Sequence, residues 1–220
     1  MQKAKAFIFD LNGTIIDDMS YHVKVWHDIM NGLGGNLTME QMQEQCYGKN
    51  GEILERVFPG RFTNEEKDRL EMEKETFYQK IYRPEMKLIG GLHPFLDKTK
   101  ENNIVNGIGS AAIMLNINFI LDGLNIRPYF KAIVSANDVS TSKPHPETFL
   151  RCAELLSVPP ADCIVFEDAP KGVEAALTAG MQCVVLTTMH TEEEFSRYPG
   201  IGCFIKDYTN PQLDKLFIRR

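Results

Sequence analysis

The chain has 220 residues, 43% of them hydrophobic and 25% charged, a globular composition that excludes a disordered or fibrous protein and allows one domain plus a modest inserted module. Its 24 Lys and Arg against 30 Asp and Glu leave a net charge of −6, so there is no basic field for nucleic acid or an anionic membrane. Five cysteines without a C-x-x-C pair, no apolar run near the roughly 20 residues that span a bilayer, and no signal-peptide apolar region at the N-terminus predict a reduced, cytoplasmic protein.

In chain order, Ala6–Phe9 is a continuous apolar run and reads as a first strand. The next core strand does not come until Ile104. Between them, from about Ile16 to Leu88, the pattern is helical. Tyr21 to Met30 forms one helix, which Asn31, Gly32, Gly34 and Gly35 punctuate. Thr38 and Thr63 are each placed to N-cap a further helix, Thr63 with Glu66 in a capping-box pattern. Asn64 to Tyr82 is a long charged helix with Leu70, Phe77 and Ile81 predicted on one face. Strand and helix then alternate. Strands are predicted at Ile104–Ile108, Ala132–Val134, Cys163–Phe166, Cys183–Leu186 and Cys203–Ile205, with helices at Pro94–Glu101, Ile113–Leu121, Pro146–Leu156, Pro170–Ala179 and near Pro211–Phe217. Continuous rather than alternating apolar runs mark strands buried on both faces of a parallel sheet. The predicted fold is α/β, a doubly wound, Rossmann-like parallel sheet from residues 1–15 and 89–220, with an all-helical insert over 16–88.

Such a sheet presents ligands at the carboxyl ends of its strands. There the sequence puts Asp10, Asn12 and Thr14 after strand one, Ser110 and Ala111 after strand two, Lys143 in Lys-Pro-His-Pro, and Glu167–Asp168 after strand four. Each alone has a plain structural use: a turn, a helix N-cap, a solvated lysine, an acidic helix start. Together they suit phosphoryl transfer, with a carboxylate nucleophile, Mg²⁺ on hard oxygens, and donors to neutralise the phosphoryl group.

Phe-Asp10-Leu-Asn12-Gly-Thr14, Ser110, Lys143-Pro-x-Pro and Glu167–Asp168 with Gly172 resemble the four ordered motifs of the haloacid dehalogenase superfamily. The helical insert is similar to the cap of its β-phosphoglucomutase-like branch, and the likeness spans essentially the whole chain. The resemblance implies a catalytic set of Asp10, Asn12, Ser110 and Lys143, with Asp10 as the nucleophile that forms an aspartyl-phosphate. It implies Mg²⁺ held by Asp10, Asp168 and the backbone carbonyl of Asn12, with Glu167 beside them. Thr14 and Ala111 would complete an anion cradle, and His22, Lys49 and Lys74 in the insert would meet the substrate. Trp26 is assigned to the core of the insert, and His27, His93, His145 and His190 to structural or solvated roles. The implied partner is a small phosphorylated metabolite, met by a monomer that binds neither nucleic acid nor membrane.

One position departs from the pattern. Relatives carry Asp two residues after the nucleophile as the general acid/base; this chain has Asn12, whose amide exchanges no proton near pH 7. Three accounts are compatible with the sequence. Asn12 is a change made to trap a complex. It is native, with proton transfer passed to a group such as His22 or with a leaving group that needs no acid. Or it marks a protein that binds phosphates without turning them over. The expected activity is hydrolysis or isomerisation of a small sugar phosphate, the alternatives being a dedicated β-phosphoglucomutase and a catalytically weakened phosphometabolite-binding protein. Dehalogenation, which needs no metal, and phosphonate cleavage, which needs a Schiff-base lysine, fit the motifs less well.

Overall fold

The computed structural model of the chain describes residues 4–217. The chain separates at Asp17/Asp18 and again at Met86/Lys87, giving an α/β unit from the outer segments and a helical unit, Asp18–Met86. No helix among the described residues is long and apolar enough to cross a membrane.

The α/β unit begins with β1 (Ala6–Phe9). Where the chain leaves and re-enters this unit, Ile16 bridges antiparallel to Leu88 and Ile89 N donates to Ile15 O at 3.0 Å.

The helical unit consists of α1 (Met19–Gly32), α2 (Met39–Gln45), α3 (Asn50–Val57) and α4 (Asn64–Tyr82). Thr38 and Thr63 both act as N-caps. Their hydroxyls accept from Gln41 N and Glu66 N at 3.2 Å, and the Gln41 and Glu66 side chains return to the cap amides at 2.9 Å. Its apolar core gathers Val23, Trp26, Met30, Met42, Ile53, Leu54 and Leu70.

The buried stripe of α4 differs from the one predicted for it. Phe77 is 41% exposed and Ile81 half-buried, while Leu70, Lys74, Glu75, Tyr78 and Tyr82 turn inward. The reason is pairing: a lysine and a glutamate go inside when each satisfies the other, and the apolar count of the helix is blind to that.

After the insert come α5 (Leu92–Glu101), β2 (Val105–Gly109), α6 (Met114–Gly123), β3 (Phe130–Val134), α7 (Glu147–Leu156), β4 (Cys163–Glu167), α8 (Pro170–Thr178), β5 (Gln182–Leu186) and β6 (Ile201–Ile205). The terminal segment near Pro211 is a 3₁₀ turn, Pro211–Leu216, rather than an α-helix. Among the described residues the six strands are all parallel, in the order β3-β2-β1-β4-β5-β6. One face of the sheet, with Ala6, Ile8, Cys163 and Val165, packs on Phe149, Cys152 and Ala153 of α7 and Val173, Ala175 and Ala176 of α8. The other face carries Phe7, Phe9 and Phe166, whose rings meet Phe95 and Tyr208; Phe9 stacks on Phe166 with centroids 4.7 Å apart. The strand order turns back between β1 and β4, and such a sheet offers its ligand crevice outside the carboxyl ends of those two strands.

Candidate active site

Asp10 continues β1 by one residue, its N–H donating to Phe166 O at 2.9 Å, so the carboxylate is fixed at the sheet edge. Glu167 closes β4 and Asp168 follows it. Lys143 arrives on the loop between β3 and α7. Its Nζ donates to Asp10 Oδ1 at 2.6 Å and to Glu167 Oε1 at 2.8 Å, joining groups 133 and 24 positions away in the chain. Glu167 Oε2 accepts from the backbone N–H groups of Asp168 and Ala169, both at 2.7 Å. Two glycines make room for this packing. A Cβ on Gly172 would stand 1.7 Å from Glu167 Oε1. Gly13 has φ +73°, and a Cβ there would stand 2.0 Å from Asp168 Oδ2.

Asp10, Glu167 and Asp168 are all buried, with ligating oxygens within 4.8 Å of one another. Burial, then the charges of Glu167 and Asp10, push the Asp168 carboxyl well above the usual carboxylate range. Burial pulls the Lys143 ammonium down, but Asp10 and Glu167 outweigh it and hold the group above its ordinary value. One ammonium thus faces three carboxylates. The donors are hard oxygens and the cluster carries surplus negative charge, so the residues fit a divalent cation such as Mg²⁺.

Ser110 follows β2, is buried, and accepts from Ala112 N at 3.1 Å; its own N–H donates to Val134 O at 3.0 Å. Ala111 beside it and Asn12 in the first turn are half-buried. Thr14 is fully buried, and its Oγ1 has no hydrogen-bond partner among the described residues. Carbonyls in the turn are held from far along the chain: Thr188 Oγ1 donates to Gly13 O at 2.8 Å and Tyr208 OH to Thr14 O at 3.0 Å.

Within the helical unit, His22 and Lys74 come together. Lys74 Nζ lies 2.6 Å from His22 Nδ1 and 3.0 Å from each carboxylate oxygen of Glu75. A lysine only donates, so Nδ1 accepts and the ring proton sits on Nε2, 3.1 Å from Asp18 Oδ2. Tyr78 OH also donates to Asp18 Oδ2, and its ring stacks on His22 at 3.9 Å. Asn50 Nδ2 donates to Glu75 Oε1 at 2.7 Å. Lys49 precedes Asn50 and caps α3, its N–H donating to Glu52 Oε2 at 2.9 Å. Trp26 lies in the core, 5.7 Å beneath the Lys74 ammonium. Asp18, Glu75, Tyr78, Thr188 and Tyr208 do not stand out in the sequence. The four-residue spacings Asp18–His22 and Lys74–Tyr78 are the signal it offers for the first network.

The family model for haloacid dehalogenase-like hydrolases matches residues 7–186. Beta-phosphoglucomutase of Bacillus subtilis is 36% identical over 189 residues, covering 82% of this chain and 82% of that protein. A fructose-1-phosphate phosphatase of Escherichia coli is 29% identical over 187 residues, covering 83% and 96%. The crystal structure of beta-phosphoglucomutase from Clostridium difficile superposes with a TM-score of 0.85 at 28% identity, over 97% of this chain and 95% of that one.

Proposed function

The chain belongs to the haloacid dehalogenase-like hydrolases, a phosphatase or phosphomutase by kinship, and from that premise we propose Mg²⁺-dependent phosphoryl transfer from a small sugar phosphate through an aspartyl-phosphate on Asp10. The observation that carries the reading is the Lys143 ammonium shared between Asp10 and Glu167 inside a buried cluster of three carboxylates.

Asp10 and Asp168, with the backbone carbonyl of Asn12 and with Glu167 nearby, would hold Mg²⁺, which neutralises phosphoryl charge when bound. Asp10 attacks phosphorus; the new O–P bond forms as the ester bond to the sugar oxygen breaks, and that oxygen takes up a proton from solvent water. Lys143, Ser110 and the amides around Thr14 and Ala111 donate to the phosphoryl oxygens. Water then cleaves the acyl phosphate, releasing inorganic phosphate and restoring the carboxylate. In the helical insert, His22, Lys49 and Lys74 are the candidates for substrate selection.

Asn12 cannot move the proton that an aspartate there would move, which sets the rate low. The Bacillus relative's name supports a second reading, in which the phosphoryl group passes to a second sugar phosphate instead of water. A lysine at position 49 offers that second phosphate a point charge rather than a bidentate fork, and this favours hydrolysis.

The test is phosphate release and isomer formation from a panel of sugar phosphates with Mg²⁺, using wild type, Asp10→Ala and Asn12→Asp. Release is expected to vanish in Asp10→Ala and to rise about 10²–10⁴-fold in Asn12→Asp. Release that survives Asp10→Ala overturns the proposal.

A further inference from the structure

The turn after Asp10 passes through a glycine packed against a buried carboxylate. Gly13 adopts φ +73°, in the left-handed region that glycine enters freely, so no side chain of its own holds the peptides on either side. Local bonding holds the turn unevenly: Ile15 N donates to Leu11 O at 2.8 Å, but Thr14 N reaches the same oxygen only at 3.4 Å. The space beside it is taken, because Gly13 lies against the Asp168 carboxylate.

Two side chains from the far end of the chain add restraints on its carbonyls. A trans peptide is planar, with its carbonyl and the next N–H pointing in opposite directions, so holding one orients the other. Thr188, in the loop after β5, donates to Gly13 O at 2.8 Å and so fixes the direction of the Thr14 N–H. Tyr208, after β6, donates to Thr14 O at 3.0 Å and fixes the following peptide. Tyr208 is itself buried and held on two sides. Its N–H donates to Gly90 O at 2.9 Å, and its ring packs on Phe95 at 5.3 Å and Phe166 at 5.7 Å. We propose that Thr188 and Tyr208 are positioning residues that hold the Gly13 and Thr14 peptides, and through them the nucleophile turn, in the geometry required for phosphoryl transfer. The inference rests on the proposed function, since it assigns the two hydroxyls a role in that same site.

The test compares wild type with Thr188→Val, Thr188→Ser and Tyr208→Phe in kcat, KM, melting temperature and affinity for orthovanadate in Mg²⁺. Misplacing a reacting group by about 1 Å costs up to about 10²-fold, so Thr188→Val and Tyr208→Phe are expected to lose about 10- to 100-fold in kcat. KM should stay within about threefold and vanadate affinity fall about tenfold. Thr188→Ser, which keeps the donor, should recover most of both. A merely structural threonine predicts otherwise: a lower melting temperature, unchanged kcat, and no distinction between serine and valine. Retention of kcat and vanadate affinity within about twofold in both Thr188→Val and Tyr208→Phe overturns the inference. Vanadate binding separates the two claims. If wild type binds it without Asp10-dependent phosphate release, the catalytic reading fails and the vanadate comparison alone decides the role of the two hydroxyls. If wild type does neither, both fall.

Discussion

The α/β unit and the helical insert each bury a lysine among carboxylates, and the two clusters are neutralised to different degrees. In the insert, Lys74 is bonded to His22 and both oxygens of Glu75, while Asp18 accepts from His22 and Tyr78. In the α/β unit, Lys143 faces Asp10, Glu167 and Asp168 together. Two buried acids report the contrast. Burial raises both Glu75, 2% exposed, and Asp168, 4% exposed. For Glu75, the Lys74 charge and the hydrogen bonds from Asn50 and Lys74 outweigh burial, and its carboxyl lies below the ordinary value. For Asp168 the neighbouring Glu167 and Asp10 add to burial, and its carboxyl lies well above. Two buried carboxylates therefore shift in opposite directions, and the neighbouring charges set the direction. In the insert the ammonium is bonded to a single carboxylate, whereas in the core cluster one ammonium is shared among three, which leaves surplus negative charge that fits a divalent cation.

The comparison can be broken most forcefully at Lys143. Lys143→Met leaves the three carboxylates without their ammonium, and phosphate release should fall by about 10³-fold or more. Stability in EDTA should drop by about 3–5 kcal/mol, the usual effect of removing one member of a buried pair. Added Mg²⁺ should recover part of the stability and none of the turnover, read by melting curves and phosphate release side by side. A variant that keeps its activity would mean that the cluster is not a phosphoryl site.

Lys74→Met is the matching change in the insert. It leaves buried Glu75 without its ammonium, and should lower stability by about 3–5 kcal/mol with no response to Mg²⁺. The double variant Lys74→Met/Glu75→Met should recover much of that loss, because a buried pair exchanged for apolar residues of similar volume is often neutral. If the single variant melts like wild type while KM rises, the network serves substrate rather than the fold.

These two lysines also mark how far the sequence can be read. The strands of the sheet centre are legible because both their faces are buried; Ala6–Phe9 is apolar throughout. The edge strand β3 starts at Phe130, two residues before its uninterrupted apolar run, because exposed Lys131 interrupts the pattern without leaving the ladder. The start of α4 is legible from its capping box, but its inner face is not, since Lys74 is buried by a partner 52 positions away. Asp10, Lys143, Glu167 and Asp168 are legible together because each follows or closes a strand, or lies in a loop between elements, in a fixed order. Thr188 and Tyr208 carry no pattern at all. Their role depends on carbonyls 175 and 194 positions distant, and a backbone acceptor leaves no trace in the sequence of its donor.

The smallest expected effect tests the surplus charge directly. Without metal, the ionised Asp168 works against the fold, because its folded pKa lies above the unfolded value of about 3.9. A group raised in this way is neutral in both states below the unfolded value, and its ionisation subtracts stability as pH rises towards and through the folded value. Asp168→Asn removes that penalty. In EDTA near neutral pH the variant should therefore melt above wild type, by about 2–4 °C if the gain is about 1 kcal/mol. The advantage should shrink as pH is lowered towards about 4, where the wild-type carboxyl is protonated as well. Millimolar Mg²⁺ should reverse the order, since binding to the folded state stabilises wild type and the amide has lost a ligand charge. Glu75→Gln in the insert should behave oppositely in EDTA. Its carboxyl is depressed on folding, so it contributes stability above its unfolded value, and that stability is lost as pH falls through the folded one. The glutamine variant should melt below wild type at neutral pH and be indifferent to Mg²⁺. If both variants shift in the same direction, the charge balance of the two clusters does not differ as their hydrogen bonds indicate.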